Sequence, residues 1–143
     1  AHEDAVHVLE SIKEMGLTMG LISNTGMTPG FTFRSYMEER GMLEYFHTLT
    51  FSDEVKLAKP ASEIFVMTLE AMNAKPEQTI HVGDHVINDV LGAKRCGMKT
   101  VWISGFYDRE DPYDTETEPD ITVDTLAAVV PAVAKLSGIS NQP

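Results

Sequence analysis

The 143 residues include one cysteine, Cys96, and one tryptophan, Trp102. A single thiol cannot close an internal disulfide, so the chain is no disulfide-stapled scaffold and suits a reducing, cytoplasmic setting. Cys96 falls on the apolar face of a helical pattern, which reads as a packed, inert thiol. Basic residues are scarce. Eleven Lys and Arg stand against 22 Asp and Glu, for a net charge of −11. That balance argues against nucleic acid and anionic membrane as main partners, because both are held through Lys and Arg. No apolar run approaches the roughly 18 residues of a membrane span, and no basic-then-apolar leader opens the sequence. Internal repeats and low-complexity linkers are also lacking. The length suits one domain with one core.

The acids that are present are unevenly placed. Seven lie between Tyr107 and Asp120 (Asp108, Glu110, Asp111, Asp114, Glu116, Glu118 and Asp120), with Arg109 as the one base. Their order does not match a calcium-binding loop, and Pro112 and Pro119 interrupt them, so a solvated loop is expected.

Elsewhere, helix and strand signals alternate. Val6, Leu9, Ile12 and Met15 recur at helical spacing before Gly16. Met19 to Ser23 reads as a buried strand running into Ser-Asn-Thr-Gly. Phe33, Tyr36, Met37 and Arg40 suggest a helix closed by Gly41, and Leu49 to Ser52 a weaker strand. Pro60 is expected to open a helix with Ile64, Phe65, Leu69 and Met72 on its apolar face. Thr79 to Val82 is a strand, followed by Gly-Asp and a helix carrying Val86, Ile87, Val90, Leu91 and Cys96. Thr100 to Ile103 and Ile121 to Val123 are further strands, the last at an edge. Leu126 to Leu136 is helical in pattern but broken at Pro131. The implied fold is α/β, a three-layer Rossmann-like parallel sheet with helices on both faces. Residues 1–137 form its core and 138–143 a frayed tail.

Ligands of such a sheet sit beyond the carboxyl ends of its strands. Three groups lie there: Ser23-Asn24, then Lys59-Pro60, then Gly83-Asp84 with Asp89 on the following helix. Each has a plain structural explanation, as a turn, a surface lysine, a helix cap or a solvated helix residue. Together they make a set suited to phosphoryl chemistry. A hydroxyl and backbone N–H groups bind phosphate oxygens, a lysine neutralises the group in transfer, and carboxylates hold a hard cation such as Mg²⁺.

The ordered set resembles motifs two, three and four of the haloacid dehalogenase superfamily. It comprises Met19-Gly-Leu-Ile-Ser23, Lys59-Pro60, and Gly83-Asp84 with Asp89. The gaps agree too, with 36 residues from Ser23 to Lys59 and 25 from Lys59 to Asp84. Lys59 to Phe65 and Gly92 to Ile103 are similar to the stretches that follow those motifs, so the likeness runs from about Asp4 to about Leu126. The resemblance implies that Ser23, with the amide of Asn24, binds phosphoryl oxygens. It implies that Lys59, in preference to Lys56, pairs with the phosphoryl group and the nucleophile. Asp84 would be a direct Mg²⁺ ligand, and Asp89 would bind metal waters or orient the loop. His85 would be structural or edge the substrate.

The family's first motif, Asp-x-Asp, supplies the nucleophile and the general acid–base. It is not found here. Asp108 to Asp114 has the wrong spacing, and Asp4 has no strand before it. The first strand, the nucleophile and any cap would lie upstream of the helix that leads to Ser23. These residues alone are then expected to be inactive and to hold Mg²⁺ weakly. The gap left by the strand would need sheet rearrangement, a lost segment or a second copy in a homodimer. The leading expectation is a Mg²⁺-dependent phosphatase of a small phosphorylated metabolite. The alternatives are a non-catalytic binding module on the same scaffold and a dehalogenase, the latter disfavoured by Gly83-Asp84. A receiver-like domain fits less well, because its acid pair comes early.

Overall fold

The computed structural model of the protein describes residues 2–105 and 115–138. Its elements run α1 (His2–Glu14), β1 (Met19–Ser23), α2 (Gly30–Glu39), β2 (Phe46–Phe51), α3 (Ser52–Val55), α4 (Ser62–Ala71), β3 (Ile80–Gly83), α5 (Gly92–Arg95), β4 (Lys99–Ile103), β5 (Ile121–Val123) and α6 (Val129–Ser137). The alternating pattern thus yields the α/β fold, and every strand pair is parallel. Among the described residues no helix is long and apolar enough to cross a membrane.

The strands form two sheets, β1–β2 and β3–β4–β5. Among the described residues β1 bonds only to β2, and β3 bonds only to β4 on one side, so each keeps an unpaired edge. Helices cover both faces. On one, Ile64, Phe65 and Leu69 of α4 pack with Ala93 of α5, Met98 and Ile22 of β1. On the other, Val8 of α1 and Val129 and Val133 of α6 pack with Ile80 and Val82 of β3. Side chains alternate across a strand, so Ile80 and Val82 face the second core while His81 and Gly83 face the first. Helix α4 touches β1, β2 and α5, which ties the two sheets together. Phe65 is fully buried there, and its truncation to alanine is expected to cost about 3–5 kcal/mol.

Three elements depart from the sequence pattern. Helix α4 begins at Ser62, not at Pro60. The Lys59–Pro60 peptide is cis and lies in a turn closed by Ala61 N–H donating to the Ala58 carbonyl at 2.9 Å. Pro131 does not break α6. It is the third helical residue, where the amide hydrogen it lacks would have no intrahelical partner. The helix after Asp84 opens as a π-helical turn, Val86–Leu91, before continuing as α5. In the acidic run, Asp108 to Asp114 lie outside the described residues, as do residues 139–143 of the tail. The end of that run is structural. Asp120 Oδ2 accepts the Thr100 N–H at 2.8 Å, and Glu116 meets Arg95 at 3.2 Å. Cys96 is partly buried against α4, and burial pushes its thiol pKa up. That fits a packed thiol.

Helix α2 is capped from a distance. Pro29, at its N-cap, makes no side-chain cap. Instead both oxygens of Asp53 accept the Gly30 N–H, at 3.1 and 3.2 Å. A Cβ at Gly30 would crowd Glu54 and Phe51, so glycine allows this approach. Thr25 joins the knot, taking the Asp53 N–H at 3.2 Å and donating its hydroxyl to Asp53 Oδ1 at 3.1 Å. The loop after β1 is thereby tied to the end of β2. The Gly30 hydrogen bond, followed by the Thr25 hydroxyl, holds the Asp53 carboxyl below its ordinary pKa. A lowered folded-state pKa contributes stability above the unfolded value, about pH 4, that is lost as pH falls through the folded value. Asp53→Asn should therefore lower the thermal midpoint at pH 7. The gap from wild type should close progressively below about pH 4, as read by circular dichroism melts across pH.

Candidate active site

The carboxyl ends of β1 and β3 open on one cleft of about 350 Å³. Ser23, Asn24, Lys59, Asp84 and Asp89 all line it, together with His85 and Asn88 and an apolar wall of Leu21, Ile22 and Phe33. Residues up to 68 positions apart thus meet because parallel strands bring their carboxyl ends to one side. Lys56 lies elsewhere, in left-handed backbone after α3, beside a neighbouring shallow depression.

Lys59 is held at both ends. The Asn24 side chain clamps its backbone. Nδ2 donates to the Lys59 carbonyl at 3.0 Å, and Oδ1 accepts the Lys59 N–H at 2.9 Å. At the other end, Nζ meets Asp89 Oδ1 at 2.6 Å, with the two side chains only 12% and 5% exposed. Asn24's amide is thus spent on the lysine loop, which leaves its backbone N–H as the group able to face a phosphoryl oxygen.

Asp89 is the most constrained group in the cleft. Its Oδ1 takes both Lys59 Nζ and His81 Nε2, the latter at 2.9 Å, and its Oδ2 accepts the His85 N–H at 3.1 Å. Burial alone would raise its pKa. The bond and charge of His81, with the charge of Lys59, outweigh burial and hold the carboxyl well below the usual carboxylate range. The ionised group is therefore the resident form at neutral pH. Gly83 makes room for it, since a Cβ there would overlap the Asp89 carboxyl. This explains the glycine of the Gly-Asp pair in local physical terms.

Asp84 sits differently. Its backbone carbonyl accepts the Trp102 indole N–H at 2.9 Å, which fixes the loop to β4. Asp84 lines the cleft, and its carboxylate makes no hydrogen bond among the described residues. Ser23 also lines the cleft, and its hydroxyl has no protein partner among them. His85 caps the π-helical turn, its Nδ1 accepting the Asn88 N–H at 3.1 Å, so the structural part of its expected role is present.

A hard cation takes oxygen ligands. Asp84 fits that need. Asp89 is committed first to its neighbours, since its Oδ1 takes two donors and its Oδ2 the His85 N–H, which accords with a loop-orienting role. Among the described residues no cluster of three acidic, histidine or cysteine side chains is arranged to hold a metal. Asp84 would need oxygen partners from elsewhere. Sequence reasoning missed His81 and Trp102. A histidine inside the apolar run Ile80 to Val82 was the available signal.

A family model described as haloacid dehalogenase-like hydrolase matches residues 1–103. The sequence is 35% identical over 134 residues to a glyceraldehyde 3-phosphate phosphatase of Methanocaldococcus jannaschii, covering 92% of this chain and 55% of that protein. It is 32% identical over 133 residues to a phosphoserine phosphatase of Thermus thermophilus, covering 93% and 51%. The fold matches the crystal structure of a HAD phosphatase from Thermococcus onnurineus with a TM-score of 0.75 at 29% identity, covering 97% of this chain and 59% of that one. The chain spans about half the length of these two curated relatives.

If Gly83 serves to admit Asp89, Gly83→Ala should displace that carboxylate and destabilise the fold by about 1–3 kcal/mol, the range for overpacking. Urea unfolding checks this, with Gly26→Ala, where a Cβ meets nothing within 4 Å, as the comparison for backbone strain alone.

Proposed function

The chain belongs to the haloacid dehalogenase-like hydrolases, and on that premise we propose that the whole protein is a Mg²⁺-dependent phosphatase of a small phosphorylated metabolite. The observation that carries this reading is the convergence of Ser23, Lys59 and Asp84 on one cleft at the strand ends. The names of the two curated relatives, a glyceraldehyde 3-phosphate phosphatase and a phosphoserine phosphatase, support the substrate class.

In this reading the Ser23 hydroxyl and the Asn24 N–H bind the non-bridging phosphoryl oxygens. Lys59 offsets the charge that builds on the phosphoryl group. Asp84 is the carboxylate that would hold Mg²⁺, which supplies charge neutralisation when bound. Asp89 holds Lys59 and leaves the metal to Asp84. A carboxylate oxygen attacks phosphorus, the bond to the ester oxygen breaks, and the departing oxygen takes a proton. Water then attacks the phosphorus of the aspartyl-phosphate and releases phosphate. Neither carboxylate of the cleft suits the attack, since Asp89 is buried with both oxygens bonded and Asp84 is assigned to the metal. The family resemblance assigns the nucleophile to the first motif, on a strand that would pair beside β1 and β3, whose outer edges are unpaired among the described residues.

The absence of an attacking carboxylate from the described cleft also favours one second reading, a non-catalytic module that binds phosphorylated ligands. One assay separates the two. The whole protein should release phosphate from an aryl phosphate with Mg²⁺ and stop when the metal is chelated, and the 143 residues alone should not turn over. Lys59→Ala should lower kcat by about 10²-fold or more, the scale of losing one preorganised charge-stabilising donor. Turnover that survives both chelation and Lys59→Ala would exclude the proposal, and phosphate binding without turnover would select the second reading.

A further inference from the structure

His81 bonds Asp89, a residue of the cleft, and the family motifs leave it without a task. It lies inside an apolar strand on the face occupied by Gly83 and Asp89, and its side chain is 12% exposed. Its ring meets Phe65 edge-on, with centroids 5.2 Å apart and planes at 85°. That contact sets the ring plane and points Nε2 at Asp89 Oδ1, 2.9 Å away. A carboxylate only accepts, so Nε2 carries the hydrogen. The same oxygen receives Lys59 Nζ at 2.6 Å. The His85 N–H on Oδ2 fixes the other end of the carboxylate.

We propose that His81 is a positioning residue for Lys59, acting through Asp89. Without the imidazole, Oδ1 keeps one partner on a mobile four-carbon stem, and the carboxylate can rotate about its bond to the His85 amide. Lys59 then follows the carboxylate or releases it. Misplacement of a charge-stabilising group by about 1 Å is enough to slow catalysis severely. The effect on turnover rests on the phosphatase reading, while the effect on Lys59 does not.

Two arms keep these apart. The first needs no activity. Competitive acetylation with acetic anhydride, read by mass spectrometry, gives the labelling rate of Lys59 relative to the exposed Lys75. His81→Phe should speed labelling of Lys59 on the order of tenfold, what one hydrogen bond to a charged group is worth. His81→Gln, which restores an N–H near the place of Nε2, should return it close to wild type. His81→Leu serves if His81→Phe does not fold. On the wild-type chain, ¹⁵N-edited NMR should show His81 with a hydrogen on Nε2. A neutral Nδ1–H tautomer would overturn the inference, as would wild-type labelling in the apolar variants or fast labelling in His81→Gln.

The second arm uses the whole protein. His81→Phe should lower kcat on the order of tenfold with a smaller change in KM, because Lys59 acts most on the charge of the transition state. His81→Gln should recover most of that loss. Equal changes in KM with kcat untouched would contradict the positioning role. An inactive whole protein would remove the phosphatase reading and leave the labelling result to decide on His81.

Discussion

The contact of Lys59 Nζ with Asp89 Oδ1 at 2.6 Å sets the terms for the groups around it. Taking two ions out of water costs several kcal/mol each, and their attraction offsets this only when the remaining bonding capacity is also met. Asp89 meets the condition through His81 and the His85 amide. It also imposes demands on its surroundings. Residue 83 must have no Cβ, residue 81 must offer a donor, and the helix after Asp84 must start close enough for its fourth residue, Asp89, to reach back to the strand. The π-helical winding of Val86–Leu91 is where that last demand is met. Such turns recur at functional sites because they re-aim a side chain that a regular helix would carry elsewhere.

The same pair links the two halves of the fold. Lys59 precedes α4, which packs on β1 and β2, whereas Asp89 follows β3. No strand hydrogen bond among the described residues joins the two sheets. Their relative placement rests on α4, with fully buried Ile64 and Phe65, and on polar ties across the cleft. The Asn24 clamp on the Lys59 backbone, spanning 35 positions of sequence, fixes the lysine loop to the end of β1 and so holds the first half's side of that tie. Packing gives most of the cohesion here, and the polar ties give the register of the cleft.

Much of this was legible in the sequence because the signals were local. Met19 to Ser23 is an apolar run between turn residues, and β1 has those bounds. The alternation of helical and strand patterns was enough for a parallel α/β fold, and the strand-end rule was enough to bring Ser23, Asn24, Lys59, Asp84 and Asp89 to one cleft. What could not be read was how those side chains divide their bonds. Asp84 and Asp89 are chemically alike, and only the structure separates a carboxylate with no hydrogen bond among the described residues from one enclosed by three donors. The Asn24 clamp on Lys59 and the bond of His81 escaped for the same reason, since their partners lie far away in sequence or across a face. Pro131 misled because its effect depends on its place in the helix, and the first turn tolerates what the interior does not.

If the Lys59–Asp89 pair organises the cleft, the two residues must be energetically coupled. A double-mutant cycle in urea unfolding, with Lys59→Met, Asp89→Asn and the combination, measures this most directly. Each single change leaves a buried partner uncompensated and should cost about 3–5 kcal/mol. The double variant should cost less than the sum by at least about 1 kcal/mol. Strict additivity would contradict the account and reduce the pair to two neighbours that share a wall.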